Sequence, residues 1–144
     1  MPLPEPFYNL LGINLFAFSK IEKILLEADL YARILEELKK VYREEQKDYF
    51  YSMKLTKEKE NIMLEKDLGR LIIRDILLSD QYTAEGIAHY TDSHAEVIHN
   101  IATDEKVIPS ATLLRRLIEL HREVRSNLYC EIFKKIREIY LTIS

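Results

Sequence analysis

"TAEGIAHYTDSHAEVIHNIAT", residues 83–103, interrupts a chain otherwise built from long, charged, apolar-periodic segments. Two short amphipathic helices fit it, about 84–90 and about 94–102, with Thr91-Asp92-Ser93 as the turn between them. Helices that cross through so tight a turn need a small residue where their backbones approach, and Ala88 supplies it. Ile87 fills the inner face of the first helix. Ile98 and Ile101, three apart and beside Val97, fill that of the second. Asp92 tolerates the left-handed conformation better than most non-glycine residues, and Ser93 is placed to cap the second helix.

The chain on either side is helical in character. Only 3 Gly and 4 Pro occur in 144 residues, while 47% are hydrophobic and 31% charged. So few breakers among so many Leu, Ile, Glu, Lys and Arg give an all-α class. Residues 1–18 read as an extended, apolar arm spaced by Pro2, Pro4 and Pro6. "SKIE" then places Ser19 and Glu22 at capping-box spacing. The stripe Ile21, Ile24, Ala28, Tyr31, Leu35, Leu38 and Tyr42 follows, widened by Leu25 and Ala32. Residues 42–55 extend this helix into an aromatic cluster, Tyr49, Phe50 and Tyr51. Thr56 caps the next helix, and Pro109-Ser110 opens the one after the corner. Val124, Leu128, Ile132, Ile136 and Tyr140 recur every four residues, with a break at Ser126–Asn127. The expected organisation is an N-terminal arm and helical dimerisation or partner-binding segment over 1–66, then a corner domain with a C-terminal helix over 67–144. The N-terminal long-helix hairpin (about 19–79) is expected to share its last helix with that domain.

At Ala88, Asp92, Ile98 and Ile101 the sequence resembles the lambda-repressor/Cro-like helix-turn-helix family. That family places a small residue, a turn residue four positions on, and aliphatics ten and thirteen positions after the first. "YTAEGIA" looks like the entry into its second helix, and "VIPSATLLRRLIEL" like the loop and helix that follow the corner. The resemblance covers about residues 67–122. Ala84 stands where many members carry a phosphate-contacting Gln, and Asp92 replaces the usual turn glycine.

The resemblance implies a regulator that reads duplex DNA with the second helix, exposing His94, Ala95, Glu96, His99, Asn100 and Thr103 to the major groove. Asn reads adenine bidentately, and Ala or Thr meets a thymine methyl. His donates to a base acceptor, more strongly once protonated. Thr83, Lys106, Ser110, Thr112, Arg115 and Arg116 are the phosphate candidates. Pairing of two copies through the N-terminal helices is expected, with residues 1–55 also available to a protein partner. Charge weighs the other way: residues 1–66 carry a net −1 and 67–144 a net −2, whereas duplex binders usually carry a basic surplus. The competing expectation is a helical adaptor or antitoxin-like protein whose corner binds no DNA.

Other chemistry finds little footing. His89, His94 and His99 are spaced by five, which spreads them around a helix instead of aligning them. Glu96-Val-Ile-His99 has the spacing of di-iron bundles but no second copy occurs, so no metal is expected. Cys130, the lone cysteine, reads as a small buried hydrophobe. No phosphate-cradling or nucleophile-elbow glycine motif occurs, so neither enzyme activity nor a cofactor is expected. The first cation is Lys20, after Glu5, and no apolar run approaches the roughly 20 residues of a membrane span. A cytoplasmic protein with no membrane partner is expected.

Overall fold

The computed structural model describes residues 5–143, with side chains through Leu141; Pro2 and Pro4 of the expected arm lie outside that range. Among the described residues every regular element is helical. A 3-10 segment, Phe7–Leu11, precedes α1 (Lys20–Glu45), α2 (Lys47–Met53), α3 (Lys57–Leu78), α4 (Ala84–Thr91), α5 (Ala95–Thr103), α6 (Ala111–Val124) and α7 (Ser126–Ile143). The chain divides into two compact units, one joining residues 1–40 to 127–144 and the other spanning 41–126. The first unit draws on two stretches distant in sequence, and the expected boundary at 66/67 lies within α3, the helix expected to be shared.

In the first unit the arm is not simply extended. Its 3-10 turn ends at Gly12, whose φ of 73° suits a residue without Cβ. Pro6 offers no capping side chain, and the Glu27 carboxylate does that work by accepting from the backbone N–H groups of Phe7 (2.8 Å) and Tyr8 (3.3 Å). Phe7 is buried, stacks on Tyr31 and packs at a tilt against Phe133. Lys135 donates to Glu37 at 2.9 Å, and Tyr140 donates to Asp29, with the Arg33 guanidinium over the Tyr140 ring. Burial, then the neighbouring Asp29 carboxylate, pushes the Tyr140 hydroxyl up to about 12.

Helix α1 starts as the sequence implies. Ser19 N donates to Glu22 and Glu22 N donates to Ser19 Oγ, both at 3.1 Å, a reciprocal capping box. Its buried face differs from the expected stripe. Leu30, Ile34, Glu37, Leu38 and Tyr42 are buried, whereas Ile21, Ile24, Leu25, Ala28 and Ala32 are exposed. The two sets lie on opposite sides over the first half of the helix, because 100° per residue separates Leu30 from the Ile21–Ala28–Ala32 line. Cys130 is likewise exposed, which corrects the expectation of burial. On α7 the buried face is Tyr129, Ile132, Phe133 and Ile136, and Cys130 points away from it.

In the second unit the expected continuous helix over 42–55 breaks at Gln46 (φ −108°). Beyond that kink Phe50 is buried while Tyr49 and Tyr51 are exposed. Thr56 and Ser110 cap α3 and α6 by accepting from Lys59 N and Leu113 N. The core of this unit is an aliphatic set from α3 (Leu64, Leu68, Ile72, Ile73, Ile76), α4 (Ile87), α5 (Ile98, Ile101) and α6 (Leu117, Ile118, Leu120). Helix α3 packs against both α5 and α6, and α4 packs against the same two. Gly69 lets α3 meet the loop before α6: a Cβ there would lie 2.5 Å from Pro109 Cγ.

Candidate nucleic-acid interface

The corner is built from its own backbone outward. Thr83 caps α4, its hydroxyl accepting from Gly86 N at 3.1 Å. The helix closes on Asp92, which adopts the left-handed conformation at φ 55°. Ser93 N bonds Ala88 O at 2.9 Å and Asp92 N bonds His89 O at 3.4 Å. This is a Schellman closure, with an aspartate in the place usually held by glycine. Residues 92–94 then separate α4 from α5.

Ser93 does not cap α5, contrary to expectation. Its hydroxyl lies 2.8 Å from Thr91 Oγ1, which itself donates to Ile87 O. His94 is the N-cap residue and its side chain makes no capping bond. Of the expected inner residues, Ala88, Ile87, Ile98 and Ile101 are buried, whereas Val97 sits at the exposed edge of the helix.

The candidate reading face is accessible. His94, Glu96, His99, Asn100 and Thr103 are all exposed, and Ala95 is half-buried. Thr103 turns its hydroxyl back to His99 O at 2.9 Å. Lys106, Ser110 and Thr112 are exposed nearby, Ser110 being also the cap of α6.

The two arginines named as phosphate candidates each have a partner within the protein. Arg116 Nη1 donates to Thr91 O at 3.0 Å and lies 3.9 Å from Asp92 Oδ2. It thereby ties α6 to the last turn of α4. Arg115 is hydrogen-bonded to Glu119 at 3.1 Å on its own helix. Arg74 of α3 donates to Ala102 O at 3.3 Å, holding the end of α5. Around the corner the exposed charges are mainly acidic: Glu85, Asp92, Glu96, Asp104 and Glu105, against Lys106 and Arg74.

A second constellation had no counterpart in the sequence reading. Asp75 Oδ2 on α3 accepts from His121 Nε2 (2.8 Å) and Arg125 Nη1 (2.9 Å) and, at 3.2 Å, from the Tyr42 hydroxyl. His121 is fully buried, and Glu45 lies 3.6 Å from Arg125. Burial pushes the Asp75 carboxyl up, but hydrogen bonds from His121 and Arg125, and then their charges, outweigh it and bring it down to about 2. The one available signal was the placing of His121 four residues after Leu117, on the apolar stripe of α6. Its partner lies 46 residues away. Among the described residues no three His, Cys, Asp or Glu side chains gather as a metal site, and no helix is long and apolar enough to cross a membrane. Neither a family model, nor a curated protein, nor a solved structure matches this chain.

Proposed function

We propose that this chain is a DNA-binding transcriptional regulator of the helix-turn-helix class that reads duplex DNA with α5 and acts as a homodimer. The observation that carries the reading is the joint between α4 and α5. A left-handed Asp92 and two further residues connect two short helices, Ile98 and Ile101 face inward, and His94, Glu96, His99, Asn100 and Thr103 face solvent. Such a helix presents polar side chains at the spacing a major groove admits. Pairing is supported by the exposed apolar line Ile21, Ile24 and Leu25 on α1.

A second reading, a helical adaptor or antitoxin-like protein that binds another protein through this corner, is favoured by charge. Arg115 and Arg116 are engaged internally, and carboxylates outnumber cations around α5. Selection of binding sequences from random duplexes by gel shift separates the two. The regulator reading expects an enriched sequence and a shallow dependence of log affinity on log salt, about −3 to −5 for a dimer, given the few free cations. Failure to enrich any sequence at low salt leaves the adaptor reading.

A further inference from the structure

At the junction of α1, α2 and α3 the second unit holds an open cleft of about 590 Å³, a size common among small-molecule sites. Phe50, 2% exposed, and Leu55 line it together with Tyr51, which is 87% exposed. Charge on its walls is unequal. Arg43, Lys47 and Lys54 face only Glu44 and Glu60. Lys47 takes Glu44 at 2.8 Å. Glu60 stays 3.7 Å from Arg43 Nε, beyond hydrogen-bonding reach. That Nε is buried without a hydrogen-bond partner, an arrangement that is costly unless an acceptor completes it. Lys54 is exposed at the left-handed C-cap of α2 (φ 52°), and none of the observed ion pairs engages it.

We propose that this cleft binds a small organic anion: a carboxylate or phosphate carried on a flat apolar body. The Arg43 side chain is 39% exposed and only loosely held by Glu60, and its planar guanidinium suits either anion in a forked geometry. Lys54, which lines the same cleft, adds a second cation for that charge. Phe50 and Leu55 give the body an apolar bed, and the free Tyr51 ring offers it a face to stack on. This site is independent of whether α5 reads DNA.

Titration calorimetry on the full chain tests it with three probes. Adenosine 5′-monophosphate carries the phosphate, indole-3-acetate the carboxylate, and adenosine has no charged head. At least one anion is expected to bind saturably, and adenosine is not. Arg43→Gln should weaken that binding about tenfold, the worth of one charge-assisted hydrogen bond. Lys54→Asn, which keeps a residue at ease in the left-handed region, should weaken it a few-fold while melting as the parent does. Should Arg43→Gln fail to fold, Lys54→Asn decides alone. The proposal is overturned if neither anion binds saturably, if adenosine binds equally well, or if Lys54→Asn leaves anion binding unchanged. Which anion binds assigns the head group.

Discussion

His121 Nε2 lies 2.8 Å from Asp75 Oδ2, so a fully buried imidazole on α6 is satisfied by a carboxylate on α3. Arg125 and Tyr42 share the same oxygen, and the cluster clamps α6 and the end of α1 to α3. Asp75→Ala takes away the oxygen that His121, Arg125 and Tyr42 share. The expected cost is about 3 kcal/mol in urea unfolding. A loss below about 0.5 kcal/mol, the usual range for surface changes, would mean that the clamp contributes little.

The same carboxyl gives the acid limb of stability. Its folded value of about 2 lies below the ordinary 3.8. A depressed carboxylate contributes stability that is fully present above about pH 4 and disappears as the pH falls through about 2. The shift corresponds to about 2 kcal/mol. Urea midpoints measured from pH 5 to pH 2 should fall more steeply in the parent than in Asp75→Ala. Parallel curves would remove Asp75 from the account.

Gly69 and Pro109 give a steric test of the α3–α6 loop contact. A methyl group on Gly69 would press on the rigid proline ring at 2.5 Å, and Gly69→Ala should cost about 1–3 kcal/mol despite better helix propensity. Adding Pro109→Ala opens the space, so the double variant should recover part of the loss. Strict additivity in the double-mutant cycle would show that the two residues do not meet.

Asn100→Ala and His99→Ala should leave the thermal melt unchanged, since both side chains are exposed on α5. Under the proposed function each lost base contact weakens specific DNA binding by about 1–3 kcal/mol. Glu96→Lys should raise non-specific affinity by exchanging a repulsive charge for an attractive one. Ala88→Leu, at a buried crossing point, should instead damage the fold by about 1–3 kcal/mol or more. Wild-type affinity in both the Asn100 and His99 variants for a selected duplex removes α5 as the reading element.

Self-association, if it uses α1, should depend on its exposed apolar line. Ile24 and Leu25 are 59% and 64% exposed, so Leu25→Glu with Ile24→Glu should leave the fold intact. Sedimentation equilibrium at tens of micromolar should find the parent above 17.1 kDa and the double variant at that mass. A parent that sediments as a single chain rules out the homodimer at that concentration.

What is local was legible in the order of residues alone. The helical class follows from composition, and the helix starts at Ser19, Thr56 and Ser110 follow from side chains that reach a backbone N–H three residues away. The stop at Asp92 follows from the left-handed tolerance of a single residue. These choices are settled within one turn of chain, so the order of residues suffices to read them. Which apolar side chains are covered depends on packing between distant segments. Ile21, Ile24 and Leu25 are as hydrophobic as Leu30 and Ile34, yet exposure divides them, because burial depends on what packs against each face. The same holds for charge. Arg115 and Arg116 are adjacent in sequence, but one is held by Glu119 and the other by the Thr91 carbonyl 25 residues away. Asp75 and His121 find each other only because α3 and α6 pack side by side. Their pairing is set by the folded path of the chain.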